Sequence, residues 1–306
     1  MKAVGIDVGK SSLDVGVHGE AQVRNFTNTT AGIGRLMREL VRWGEVRIVV
    51  EATGGYEDAV LAACVKKGLW VARVNPRQAR AFAKATGQLA KTDCLDARML
   101  AEMAHSLHAR LRVHTPLTPW QHELRGWLRR RHQVTEAIQR TRQQLATTLP
   151  SIRALVKKTI MALHREQASI DRTLKQLLQT HATAAIRSSK GLGPIFQASA
   201  LALLPELGQL TRRQIAKLVG IAPLNRDSGQ SQGVRRIYGG RAEVRVALYM
   251  ATLSAVRWDA MMKAHYQQLR ARGKVAKVAL VACMRKLLTI VNAKRRDELR
   301  LALPAT

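Results

Sequence analysis

The order in which hydrophobic periods change along the first hundred residues constrains this chain more than any other feature. Val4-Gly-Ile-Asp7-Val8 is an apolar run of strand length, and Leu13-Asp-Val-Gly-Val17 alternates. Gly9-Lys10-Ser11-Ser12 between them reads as a tight turn, and Ala21–Phe26 as a third strand. The period then lengthens: Ile33, Leu36, Met37, Leu40 and Val41 line one face of a helix over Thr30–Trp43. Arg47–Glu51 and Leu69–Val74 read as two more strands, with a helix over Tyr56–Lys67 between them. Helices over Pro76–Thr86 and Asp93–His108 follow, Pro76 fitting a first-turn position. The order is an antiparallel meander and then strands joined by helical crossovers, the connection that parallel strands require.

That order matches an α/β ribonuclease H-like fold, in which the first and fourth strands lie side by side at the sheet centre. Here those strands carry Asp7 and Glu51, while Asp93 and Asp96 share one face of a helix at i and i+3. Four carboxylates from three elements can then converge on Mg²⁺, a hard cation that takes oxygen ligands and usually keeps waters and phosphate. Two such ions about 4 Å apart can serve an attacking and a leaving oxygen. Each acid also has an ordinary use. Asp7 can cap a turn, Glu51 can pair with an arginine, Asp93 can be a helix N-cap and Asp96 a first-turn acid. What favours the joint reading is cost, because an acid inside Val4–Val8 and another closing Ile48-Val49-Val50 are expensive unless neutralised. Asp14, Glu57 and Asp58 are weaker candidates, each expected on a solvent-exposed face.

From Pro119 to Leu149 the spacing of Leu124, Trp127, Val134, Ile138 and Leu145 predicts one long helix; Pro150-Ser151 punctuates it. Ile152, Val156, Ile160, Leu163, Ile170, Leu174 and Leu177 predict a second. Two helices of about 30 residues, each about 45 Å long, suit a coiled coil within the chain or between protomers, or a solvated spacer. Arg129, Arg130, Arg131, Lys157 and Lys158 lie along it as candidate nucleic-acid contacts. In the last third, Lys190-Gly191-Leu-Gly193-Pro194 before an apolar helix (Ile195–Leu204) has a helix-hairpin-helix look, whose backbone amides can hold phosphate. Thr211 is placed to cap a helix to Val219 that carries Arg212 and Arg213. The segment from Gly220 to Arg241 is loop-like and holds Arg226, Ser228, Ser231, Arg235, Arg236 and Arg241. A serine there would meet a phosphodiester with charge stabilisation in place, or would only hydrogen-bond it; no base stands beside it in sequence.

Charge decides the class of partner. Lys plus Arg total 51 against 21 Asp plus Glu, a net of +30, while 46% hydrophobic residues suffice for real cores. Residues 1–118 carry +6, 119–190 carry +10 and 191–306 carry +14, so acids concentrate where metal would be held and bases where phosphates would lie. Membrane surface is disfavoured by 4% aromatics and by the lack of an 18-residue apolar run. Asp7 comes too early for a signal peptide, and Cys64, Cys94 and Cys283 lack zinc-ligand spacing, so a cytoplasmic protein with reduced core thiols is expected.

Six motifs now stand in order. Val4-Gly-Ile-Asp7-Val-Gly-Lys10, Glu51-Ala-Thr-Gly-Gly55 and Lys91-Thr-Asp93-Cys-Leu-Asp96-Ala97 resemble the DEDD motif of the insertion-sequence transposases called the one-ten family. Gly191-Leu-Gly-Pro194, Gly220-Ile-Ala-Pro223 and Ser228-Gly229 with Gly239-Gly240-Arg241 resemble its second, transposase domain. The resemblance implies a RuvC-like domain over 1–118, a coiled-coil linker over 119–186 and a mainly helical transposase domain over 187–306. It implies Mg²⁺ at Asp7, Glu51, Asp93 and Asp96, and strand exchange through a covalent Ser–phosphodiester, Ser228 being favoured over Ser231 by the Ser-Gly pattern. It further implies donor and target DNA as partners, a noncoding bridge RNA that selects them, assembly as a dimer of dimers, and action at the prokaryotic nucleoid. Two alternatives share some residues: a RuvC-like junction resolvase that cuts with water, and an actin or sugar-kinase-like phosphotransferase, whose phosphate turn also reads Gly-Ile-Asp-x-Gly.

Overall fold

Glycines, β-branched residues and short turns at the start of the chain produce three consecutive strands. The computed structural model describes residues 1–88, 93–187, 192–224 and 235–302, without the side chains of Asp93, Cys94 and Ala185. The chain divides into two compact units, Met1–Pro116 and Leu117–Thr306.

The first unit contains β1 (Lys2–Val8), β2 (Ser12–Val17), β3 (Arg24–Thr27), α1 (Thr30–Arg42), β4 (Val46–Glu51), α2 (Asp58–Lys66), β5 (Trp70–Val74), α3 (Pro76–Ala85) and α4 (Asp93–Leu107). A 3-10 turn, His108–Arg110, follows. The sheet order is β3-β2-β1-β4-β5. β1 and β2 pair antiparallel, as do β2 and β3; β1 with β4 and β4 with β5 are parallel. The first and fourth strands are therefore neighbours at the centre, as expected from the element order. The third strand starts later than its apolar run suggested, at Arg24.

Period-two alternation gives the sheet two unlike faces. One buries Val4, Ile6, Val8, Leu13, Val15, Ile48, Val50 and Val71 against Leu36 and Leu40 of α1 and Leu61 and Cys64 of α2. Burial pushes the Cys64 thiol up to about 12, so it is an inert core residue. The other face is small at Ala3, Gly5, Gly16 and Ala72, with Val49 and Val74 beside them, and it receives α3 and α4 through Ala79, Ala83, Met99, Leu100 and Met103. Gly5 and Gly16 are register partners. A Cβ on Gly5 would strike the backbone of Ala97 and Ala101, and one on Gly16 would come within 2.9 Å of the Ala97 carbonyl. The paired glycines form a slot into which α4 settles, backbone against backbone.

Among its described residues the second unit is helical apart from a two-stranded ribbon. It comprises α5 (Pro119–Thr147), α6 (Arg153–His181), α7 (Ala184–Arg187), α8 (Pro194–Leu203), α9 (Arg212–Val219), β6 (Pro223–Leu224), β7 (Arg236–Ile237), α10 (Ala242–Trp258), α11 (Ala260–Ala271) and α12 (Ala276–Leu301). Helices α5 and α6 form a hairpin: Arg130 pairs with Glu166, Arg131 with Asp171, and Thr135 with Gln167. Its stripe divides in two. Leu124, Val134, Ile138, Ile170, Leu174 and Leu178 are buried in one core with α8, α9, α10 and α12. Nearer the turn Leu145, Val156 and Ile160 are only half-buried, and Ile152 is exposed. Among the described residues no helix is long and apolar enough to cross a membrane.

Candidate active site

Strand register delivers the acids. β1 and β4 run parallel with Ile6 opposite Val50, so Asp7 and Glu51 come one residue further along, side by side and on the α4 face. The turn after β1 closes with the Gly9 amide on the Ser12 carbonyl at 2.9 Å, which sets Val8 opposite Leu13 and Asp7 opposite Asp14. Asp96 precedes Ala97, the residue seated in the glycine slot. Asp7, Asp14, Glu51 and Asp96 thus line one cavity of about 220 Å³, with Ser12 and Thr53 among its other walls.

Asp7 and Asp14 are braced locally. Asp7 Oδ1 accepts from the Val8 backbone amide at 3.1 Å, and Asp14 Oδ1 from the side-chain Nδ2 of Asn25 at 2.8 Å. Glu51 leads into a loop that turns on Gly54 and Gly55, with φ of +81° and +118°. Glu57 organises this loop from beneath: its Oε2 accepts from the Gly55 amide at 2.8 Å, the Thr53 amide at 3.1 Å and the Thr53 hydroxyl at 3.3 Å. Arg73 stands 3.2 Å from its other oxygen. Burial alone would raise the Glu57 carboxyl, but hydrogen bonds from the loop and the Arg73 charge outweigh it and hold it below the ordinary range.

Two sequence expectations change here. Glu57, expected at a solvent-exposed face, is fully buried, because the loop amides need a carboxylate beneath them. Asp14, expected to face solvent, lines the cavity, because the four-residue turn puts it opposite Asp7. The turn length was legible in the sequence and could have placed Asp14.

The donor set is all oxygen, which suits a hard divalent cation. Among the described residues no group of three or more His, Cys, Asp or Glu side chains is arranged to hold an ion by itself, and the Asp93 side chain is not among them. Mg²⁺ needs no such group, since one or two carboxylates plus water and phosphate satisfy it.

In the second unit, residues 225–234 lie outside the described residues, and with them Arg226, Ser228 and Ser231. What brackets them is defined: β6 and β7 pair antiparallel, Leu224 opposite Arg236. Gly220 caps α9 at φ +78°; a Cβ there would strike the Gly239 carbonyl, and one on Gly240 would strike the backbone of Gly220. The Arg241 amide donates to the Leu218 carbonyl at 2.9 Å.

Comparison with known proteins decides between the readings. A family model described as transposase, of the DEDD type named for IS110, matches residues 4–154, and one described as transposase IS116/IS110/IS902 family matches 183–267. The chain belongs to the IS110/IS116/IS902 transposase family. It is therefore a DNA recombinase of the transposase class, and a divalent metal is the cofactor such DEDD enzymes generally use. A protein of Moraxella lacunata named pilin gene-inverting protein is 27% identical over 326 aligned residues, covering 96% of this chain and 95% of that protein. Its namesake in Moraxella bovis is 27% identical over 316 residues, with the same coverages. A protein of insertion element IS900 from Mycobacterium paratuberculosis, described as an uncharacterized 42 kDa protein, is 30% identical over 159 residues, 51% of this chain and 39% of that protein.

The transposase's expected nucleic-acid contacts fall into two groups. Arg129, Lys157, Lys158, Arg212, Arg213, Arg235 and Arg236 are exposed. Arg130 and Arg131 are engaged across the hairpin, the latter with Nε 2.6 Å from Asp171 Oδ1. Arg241 forks onto Glu206 with two contacts of 2.6 Å and also donates to the Leu203 carbonyl at 2.8 Å. Gly193 is the N-cap of α8; Lys190 and Gly191 lie outside the described residues.

Proposed function

We propose that this transposase excises and integrates an insertion sequence by Mg²⁺-dependent strand exchange through a Ser228–phosphodiester intermediate. The observation that carries the reading is the convergence of Asp7, Glu51 and Asp96 from three elements into one cavity, in a sheet ordered β3-β2-β1-β4-β5. That order supports assigning residues 1–118 to a RuvC-like, ribonuclease H-like domain. The hairpin supports a coiled-coil linker over 119–186, and 187–306 is then the transposase domain.

Asp7, Glu51, Asp93 and Asp96 would hold Mg²⁺, one or two ions, which when bound stabilise charge on phosphoryl oxygens and favour deprotonation of an attacking oxygen. The protein's own steps are these. The Ser228 hydroxyl oxygen loses its proton and bonds to phosphorus; a bridging P–O bond breaks; the departing hydroxyl takes a proton, and its later attack releases Ser228. Arg226, Arg235 and Arg236 offset charge on the phosphoryl oxygens, while Arg241 holds the base of the loop. More than 130 residues separate Ser228 from Asp96. The reading therefore includes a site shared between protomers in a dimer of dimers, acting in the cytoplasm on the nucleoid. Guidance to donor and target DNA by a noncoding bridge RNA belongs to the same proposal.

A second outcome has support of its own. The match over nearly the full length of two proteins named for gene inversion favours inversion of a DNA segment as a reaction of this chain. A plasmid carrying the element ends with its flanking DNA separates the outcomes, since excision shortens the product and inversion preserves its length. Ser228→Ala should abolish the covalent protein–DNA adduct on denaturing gels while Ser231→Ala retains it. An adduct formed by Ser228→Ala would remove Ser228 as the nucleophile. Mixing Ser228→Ala with Asp7→Asn protein should restore strand exchange if the site is shared.

A further inference from the structure

The loops that follow Asp7 and Glu51 are joined by one side chain. Asn28 lies between β3 and α1, next to Thr29, the N-cap of α1. Its Nδ2 donates to the Gly9 carbonyl at 3.0 Å and to the Tyr56 carbonyl at 3.2 Å. Gly9 is two residues beyond Asp7, and Tyr56 ends the loop that leaves Glu51. The Asn28 backbone amide also donates to the Ser11 carbonyl at 2.9 Å, which fixes Asn28 to the same turn. A primary amide carries two N–H groups, and both are used on the two loops. Serine has one such hydrogen and aspartate has none, so the residue type matches the task.

We infer that Asn28 is a positioning residue that sets the separation of Asp7 and Glu51 and thereby their joint affinity for a small divalent cation. This rests on the reading that those carboxylates hold metal. The β1–β4 pairing aligns the two strands only as far as Ile6 and Val50. Asp7 and Glu51 lie one residue beyond it, each still paired on its other side, Asp7 with Asp14 of β2 and Glu51 with Val74 of β5, and after Val8 and Glu51 the chain runs into separate loops. Glu57 braces the Glu51 loop at Thr53 and Gly55, but its bonds do not reach the turn after Asp7. Asn28 spans that gap. Groups that orient metal ligands in this way typically contribute about 10–100-fold to metal affinity.

The test uses the full chain and the metals alone. Mg²⁺ and Ca²⁺ binding are measured by calorimetry for the wild type, Asn28→Ala, Asn28→Asp and Asp7→Asn, with thermal melts in chelator as the record of folding. Asn28→Asp keeps the shape and removes both donors. The expected result is Mg²⁺ affinity reduced about 10–100-fold in both Asn28 variants. Ca²⁺ should lose less, because it accepts flexible, irregular coordination whereas Mg²⁺ demands near-ideal octahedral geometry. A fall in Mg²⁺ over Ca²⁺ preference is the signature of positioning; general damage would weaken both alike. Wild-type Mg²⁺ affinity in the Asn28 variants, or equal losses for the two ions, would overturn the inference. Asp7→Asn tells the two failures apart. If it binds Mg²⁺ as the wild type does, the metal reading itself is gone; if it loses Mg²⁺ while Asn28→Asp keeps it, only the role of Asn28 falls.

Discussion

The two units of this transposase treat charge in opposite ways. In Met1–Pro116 four carboxylates, Asp7, Asp14, Glu51 and Asp96, are gathered into one cavity, although like charges so placed disfavour one another. In Leu117–Thr306 acids are scarce and several are matched one to one with arginine: Glu166 with Arg130, Asp171 with Arg131, Glu206 with Arg241 and Glu298 with Arg295. The first arrangement gathers oxygen donors of the kind that a hard divalent cation takes. The second uses its few acids to fix geometry and leaves the exposed cations for a polyanion. Removing an acid from the cavity should therefore act with opposite sign to removing a paired acid of the second unit.

The largest effect expected breaks the gathering itself. Gly5→Ala puts a methyl into the backbone of Ala97 and Ala101 and forces α4 away from the sheet. We expect a loss of about 1–3 kcal/mol in urea unfolding, and loss of any stabilisation by Mg²⁺ as Asp96 withdraws. An unchanged metal-dependent melting shift would show that α4 does not need the slot.

Glu57→Gln comes next, at about 2 kcal/mol, because an amide would set N–H groups against the loop amides. The wild-type carboxyl is depressed in the folded state, so its contribution is fully present above the unfolded pKa and disappears as pH falls through the lower folded value. Unfolding followed from neutral pH into the acid range below about pH 4 should show this loss in the wild type and a flatter profile in Glu57→Gln. Parallel profiles would remove Glu57 as the group that titrates.

The smallest pair sharpens the comparison directly. Glu206→Gln should destabilise by about 1 kcal/mol, an exposed-edge fork on Arg241 being worth little more. Asp14→Asn should stabilise the metal-free protein by up to about 1 kcal/mol while weakening Mg²⁺ binding, read from melts with chelator and with Mg²⁺. Two changes of the same sign would end the contrast between gathered and paired charge.

Much of the first unit is legible in sequence because its determinants are local. The period of two, the length of the Gly9–Ser12 turn and the helical crossovers set which strands pair and which acids share a face. These determinants bring Asp7, Glu51 and Asp96 to one cavity, and Asp14 is within reach of the same turn-length argument. Capping chemistry was equally local: Thr211 accepts from the Gln214 amide at the start of α9, as its position predicts. Tertiary structure decided what depends on partners far along the chain. No local pattern says that Glu57 is buried beneath a loop, that Arg130 and Arg131 are engaged by acids 36 and 40 residues away, or that the α5–α6 stripe is fully buried toward one end and mostly half-buried near the turn. A period reports which face of an element is apolar. What that face, or a charge beside it, actually meets is fixed only when distant segments compete for the same space, and that competition has no local signature in sequence.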